Sequence, residues 1–212
     1  MKKIRNWFFK NNVISSIIER MQKRTAQGQP ELTGRRGIMK KNTAKNVTVN
    51  ALSIALVCIA TMAIQIPIPL GYMHLGNTCI LLVAALFGPV TGLLAGGIGS
   101  ALADMLTGYA QWIIPTLIIK SIMGFAIGAI AYKKGSNLHM ISVRTFLGSA
   151  AGIVIMIFGY FAAGAIMNGS IYTGWTQVPG LTLEGVIGMV IFYAIGLVLE
   201  KANVVKVLNL EG

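Results

Sequence analysis

The chain has little charge, little acid and almost no thiol or imidazole chemistry. Only 11% of its 212 residues are charged, with six Asp or Glu, two His and two Cys. Cys58 and Cys79 sit inside apolar stretches without CxxC spacing, which fits small packing residues and argues against a disulfide framework or zinc site. His139 lies among basic residues, as a solvated loop residue would. There is no phosphate-binding loop, no HExxH, no GxSxG and no carboxylate pair at working distance. Catalytic residues, a metal site and a bound cofactor are therefore not expected, and neither is an enzyme. A cleaved signal peptide is not expected either, because Lys10, Asn11 and Asn12 interrupt the apolar region after Trp7-Phe8-Phe9.

Apolar length is what the chain has in quantity. Hydrophobic residues make up 55% of it, and the mean hydropathy is +0.71, which reads as an integral membrane protein. Spans are expected at about 47–65, 77–87, 90–107, 113–132, 145–166 and 183–200. The second is short, since eleven residues reach only ~17 Å of a hydrocarbon core ~30 Å thick. One long helix over 78–106, kinked at Gly88-Pro89, would give five spans instead.

Charge placement chooses between the counts. The net charge of +12 would suggest nucleic acid in a soluble chain, but residues 1–46 hold twelve of the eighteen Lys and Arg. With six spans, every Lys and Arg except Lys120 falls on one side. The opposite loops, at about 66–76, 108–112 and 167–182, contain none. Five spans would move Lys133, Lys134, Arg144, Lys201 and Lys206 outside, against the positive-inside bias. The expected fold is thus an all-α integral membrane protein, a compact bundle of six transmembrane helices with both termini cytoplasmic. Residues 45–204 form the membrane domain and 205–212 a short tail. Residues 1–44 are a basic cytoplasmic extension, with an amphipathic helix over 1–21 suited to an anionic lipid surface, then a linker. No nucleic-acid partner is expected.

Two stripes mark helix contacts. Gly92, Gly96, Ser100 and Asp104 recur every four residues in the third span, and Lys120, Gly124 and Gly128 do so in the fourth. Small residues at this spacing let helices approach closely in lipid. Packing does not account for Asp104 and Lys120, because an ionisable group within a span costs at least ~2.5 kcal/mol at the helix centre and so faces a partner or cavity. The two are expected to pair in the outer half of the bundle, at the wall of a substrate pocket.

The outer loops hold no basic residues but carry aromatic and amide groups, among them Tyr72, His74, Asn77, Tyr109, Trp112, Trp175 and Gln177. Each aromatic taken alone suits an interfacial anchor; together they suit stacking on a flat heterocycle. Pro67 and Pro69 stiffen the first loop, IPIPLGYMHLGN, which with Tyr72 and His74 would serve as a lid. Ala51 and Ala55 form a small-xxx-small pair near the inner end of the first span.

The AxxxA at Ala51 and Ala55, the IPIPLGYMHLGN loop, the run LFGPVTGLLAGGIGSALADML and PTLIIKSIMGFAIG at 115–128 resemble the substrate-binding S component of energy-coupling factor (ECF) vitamin transporters. The resemblance covers roughly 45–203 and is nearest the branch for riboflavin or for hydroxymethylpyrimidine and pyridoxine-like compounds. It implies a multi-pass protein of the bacterial plasma membrane that captures a vitamin-type small molecule from outside. Its partners would be a transmembrane coupling subunit and two cytoplasmic ATPases. Carried onto this chain, Ala51 and Ala55 would face the coupling subunit, and Asn77, Asp104, Trp112, Lys120, Tyr160 and Trp175 would contact the ligand. The alternative from the residues alone is a stand-alone secondary transporter or channel with Asp104 and Lys120 as an ion relay.

Overall fold

The computed structural model describes Glu19, Arg20, Lys23 and residues 43–68, 71–133 and 139–203. Apart from Glu19 and Arg20, the amphipathic segment expected at 1–21 lies outside the described residues, as do Pro69, Lys134 and the tail 205–212. Residues 1–48 and 49–212 make two compact units. In the first, Lys23 Nζ meets Glu19 Oε1 at 3.1 Å, an exposed pair one helical turn apart.

In chain order the structure has helix α1 (Thr43–Ala63), a hairpin of β1 (Gln65–Ile68) and β2 (Gly71–His74), then α2 (Gly76–Phe87), α3 (Pro89–Thr107), α4 (Ile113–Ala131), α5 (Val143–Met167) and α6 (Ile171–Lys201). Five of the helices are long and apolar enough to cross a membrane, and α2 is the short apolar one. The protein is a multi-pass, integral membrane protein, with six bundled helices among the described residues from 43 to 201.

Gly88 resolves the alternative of a single kinked helix. Its φ of 91° lies in the region that L side chains avoid, and Pro89 then starts α3 at the first helical position. A Cβ placed on Gly92 would meet Ala84, and one on Gly96 would meet Ile80. These partners are equally spaced on either side of Gly88, so α2 and α3 run back along each other as an antiparallel pair.

Helix α4 is central, packed on α2, α3 and α5. The two small-residue stripes face each other across its contact with α3. A Cβ on Gly92 would lie 2.5 Å from the Gly124 carbonyl oxygen, one on Gly96 2.6 Å from that of Lys120, and one on Gly128 2.5 Å from Pro89 Cα. Backbone contact this close requires glycine. A single π-helical turn at Ala95–Gly99 interrupts α3 in the middle of this contact, and the sequence stripe does not foreshadow it. The other side of α4 shows Ile114, Ile118, Ile122 and Phe125 as an exposed apolar stripe suited to lipid.

Helix α2 carries Ile80, Leu81, Val83 and Ala84, none more than 2% exposed. Being interior, its twelve residues need not span the whole hydrocarbon thickness. The chain enters it from the hairpin, where Gln65 pairs with His74 and Pro67 with Tyr72, and where the Tyr72 and His74 side chains are buried.

One expected boundary is corrected. The outer loop placed at 167–182 reduces to a short turn at Asn168–Ser170, and α6 begins at Ile171, twelve residues earlier than expected. Pro179 and Gly180 read as a breaker in sequence, yet Pro179 lies inside α6. Membrane helices tolerate this because neighbouring helices and side chains satisfy the freed backbone groups.

Candidate ligand-binding cavity

A cavity of about 420 Å³, counting its open mouth, lies where the hairpin meets the ends of α3, α4, α5 and α6. That is within the range of small-molecule sites. Its walls are built from six places in the chain. The hairpin supplies Tyr72 and His74, α3 supplies Asp104, the turn between α3 and α4 supplies Tyr109 and Trp112, α4 and α5 supply Thr116, Lys120 and Tyr160, and α6 supplies Gln177, Leu181 and Glu184.

The floor is a continuous polar relay inside the apolar bundle. Lys120, 1% exposed, donates from Nζ to Asn77 Oδ1 and to Met156 Sδ at 3.3 Å. The Asn77 amide donates in turn from Nδ2 to Glu184 Oε1 at 2.8 Å. Lysine only donates and a carboxylate only accepts, so these two neighbours orient the Asn77 amide. His74 Nδ1 accepts the Gly76 N–H at 3.0 Å, which leaves the imidazole proton on Nε2, 3.5 Å from Glu184 Oε1. Burial, with the Lys120 charge added, holds the His74 imidazole well below its ordinary pKa.

The upper wall is aromatic. Tyr72 and Tyr109 have ring centroids 4.6 Å apart, and Trp112 and Tyr160 5.6 Å apart. Lys120 Nζ lies 5.4 Å from the Tyr160 centroid, within cation–π range. Tyr160 Oη bonds Thr116 Oγ1 at 3.0 Å, and Tyr72 Oη donates to Asp104 Oδ1 at 2.7 Å. Burial first, then the hydrogen bond to that carboxylate, pushes the Tyr72 phenol up.

The expected site residues divide by position. Asp104, Trp112, Lys120 and Tyr160 come together around the cavity with Tyr72 and His74, and Asn77 lies fully buried in the relay below. Asp104 and Lys120 line one cavity, but each bonds another partner in place of the direct pair expected: Tyr72 holds the acid and Asn77 the amine. Trp175 is away from the cavity, on the α6 surface, 59% exposed and edge-on to Phe161. Pro67 is exposed on the hairpin. Ala51 and Ala55 are exposed on α1.

Glu184 is not among the expected site residues: with the sixth span beginning at about 183 it falls at a span end, where a carboxylate needs no buried partner. The signal was present in Leu181-Thr-Leu-Glu-Gly-Val186, an acid in an apolar run. Among the described residues no group of three His, Cys, Asp or Glu is placed to hold a metal.

Comparison with known proteins covers this same region. The family model for the S component of ECF-type riboflavin transporters matches residues 41–201, which include every residue lining the cavity. A Pyrococcus woesei protein described only as uncharacterised is 37% identical over 153 residues, 68% of this chain and 99% of its own length. UPF0397 proteins are similar over shorter stretches. That of Streptococcus sanguinis is 36% identical over 75 residues, 35% of this chain and 42% of the relative; one from Streptococcus pneumoniae (strain Hungary19A-6) is 35% identical over 89 residues, 42% and 48%. The chain thus spans nearly all of the archaeal relative and less than half of each streptococcal one.

Proposed function

We propose, since the chain belongs to the S-component family of ECF-type riboflavin transporters, that it is the subunit that captures a small heterocyclic vitamin at the outer face and delivers it inward with an ATP-driven ECF module. Family membership makes it a membrane-embedded vitamin transport protein and not an enzyme. The finer assignments are the vitamin, the partner subunits and the direction.

The observation that carries the reading is the cavity itself. Four aromatic rings stand over a buried relay of Lys120, Asn77 and Glu184, which suits a flat polar ring held edge-on to fixed donors and acceptors. The ligand is a flavin or a smaller pyrimidine or pyridine. Asn77 and Lys120 serve from the floor, Trp112 and Tyr160 as stacking wall, and the hairpin as a cover that brings Tyr72 and His74 onto the ligand. The cavity end faces outward and both termini are cytoplasmic: the turns at the cavity end carry no Lys or Arg, whereas Lys133, Arg144 and Lys201 lie at the opposite helix ends. Ala51 and Ala55, small and exposed on α1, provide a flat patch for a transmembrane coupling subunit, which links the chain to two cytoplasmic ATPases.

Mass spectrometry of the small molecule that co-purifies with the detergent-extracted chain tests the binding role, and a heterocyclic vitamin is the expected result. Vesicle uptake tests the mechanism: it should require the coupling subunit and ATPases. Buried ionisable groups within spans also favour a second reading, a secondary transporter. Uptake by this chain alone, abolished by a protonophore, would select that one.

A further inference from the structure

The buried polar groups of the cavity are almost all spoken for. Lys120, Asn77, Glu184 and His74 satisfy one another, and Tyr160 donates to Thr116, whose hydroxyl also neighbours the Asp104 carboxylate. Asp104 is the exception. It is 5% exposed, its Oδ1 takes the Tyr72 hydroxyl, and its Oδ2 is buried with no hydrogen-bond partner among the described residues. Two other buried side-chain atoms lack partners, Gln65 Nε2 and Ser100 Oγ, and neither residue lines the cavity. A buried acceptor left unpaired is costly, so a site of this kind favours the ligand that supplies the missing donor.

The surroundings restrict the donor. Asp104 lies among the Tyr72–Tyr109 and Trp112–Tyr160 ring pairs, which accept a flat ring and bring its edge to the carboxylate. Two carboxylates, Asp104 and Glu184, line the cavity against one ammonium, Lys120, so a phosphate or carboxylate on the ring would meet net repulsion. We infer that Asp104 is the specificity-determining residue of the cavity, with Oδ2 accepting a hydrogen bond from an N–H on the edge of an unphosphorylated heterocycle. Tyr72 is a positioning residue that holds the other carboxylate oxygen. This rests on the vitamin-binding reading and adds to it the group on the ligand that is recognised.

The test compares ligands that differ only in that N–H, bound to the purified full chain in detergent and measured by equilibrium titration. One pair is riboflavin and its N3-methyl analogue; the other is 4-amino-5-hydroxymethyl-2-methylpyrimidine and its 4-dimethylamino analogue. Blocking the N–H should weaken binding to the wild type about 10- to 100-fold. In Asp104→Ala, which removes the acceptor and opens room for the methyl group, the two members of the pair should bind within about threefold of each other. Equal affinities in the wild type overturn the inference, and so does a ratio that persists in Asp104→Ala. Should Asp104→Ala fold poorly, Asp104→Ser takes its place, with the same collapse of the ratio expected. If neither parent compound binds, the vitamin reading fails and the inference falls with it. A parent that binds without regard to its N–H sinks the inference alone.

Discussion

Lys120 of α4 and Glu184 of α6 are joined through a single amide: Asn77 accepts from the amine on one side and donates to the carboxylate on the other. Both charges are at least 96% buried, so each depends on the other for its presence in the bundle. Lys120→Met removes one and leaves Glu184 uncompensated, a loss of about 3–5 kcal/mol. Adding Glu184→Gln should recover most of it. Thermal unfolding in detergent measures both, and a double variant no more stable than Lys120→Met would dissolve the proposed linkage.

The imidazole of His74 faces Glu184 and Tyr72, and the Lys120 charge acts on it. Its pKa is held low in the fold, so below about pH 6.5 the unfolded chain takes up a proton that the folded chain does not. The stability it contributes is complete above that pH and is lost as pH falls. The melting temperature should drop between about pH 7.5 and about pH 5.5, and less steeply in His74→Gln. Parallel curves would show that another group titrates.

Glycine is required where α3 and α4 touch and is merely convenient elsewhere. Gly96→Ala drives a methyl group into the Lys120 carbonyl and should cost more than about 2 kcal/mol or yield aggregated protein. Gly108→Ala meets nothing within 4 Å and bears only the strain of φ +86°, about 1 kcal/mol. Size-exclusion profiles and melting temperatures of the two variants check the ordering.

Ala55 lies on the exposed side of α1, and it is not among the residues lining the cavity. Ala55→Trp should leave vitamin affinity unchanged within about twofold while abolishing ATP-dependent uptake with the coupling module. Equal loss of binding and uptake would count against a coupling surface there.

The six-helix topology with both ends inside predicts that an alkaline phosphatase fused after Gly212 is inactive and one inserted at Gly108 is active. The reverse pattern would invert the proposed orientation.

Much of this was legible along the chain. Apolar length located the helices, with α2 recognisable at 77–87 and observed at Gly76–Phe87. The four-residue spacing of Gly92, Gly96 and of Gly124, Gly128 identified faces that do meet. The start of α6 was not legible, because Pro179-Gly180 is a breaker in isolation and becomes tolerable only where other helices surround it. On the same breaker signal Trp175 falls in a loop beside the cavity; as a helical residue it is directed by the phase of α6, which leaves it exposed.

What the sequence determined by itself is whatever adds up residue by residue: hydropathy sufficient for a bundle in lipid, stretches at 66–76 and 108–112 empty of Lys and Arg, and the isolation of Asp104 and Lys120 among apolar neighbours. Which group answers which charge was decided only in the tertiary structure. Tyr72 takes Asp104, while Asn77 stands between Lys120 and Glu184. Those choices depend on the relative rotation and depth of α2, α3, α4 and α6, set by close glycine contacts and the π-helical turn in α3. Hydrogen bonds are short and directional, so a turn of one helix changes every partner while leaving the hydropathy of the sequence untouched.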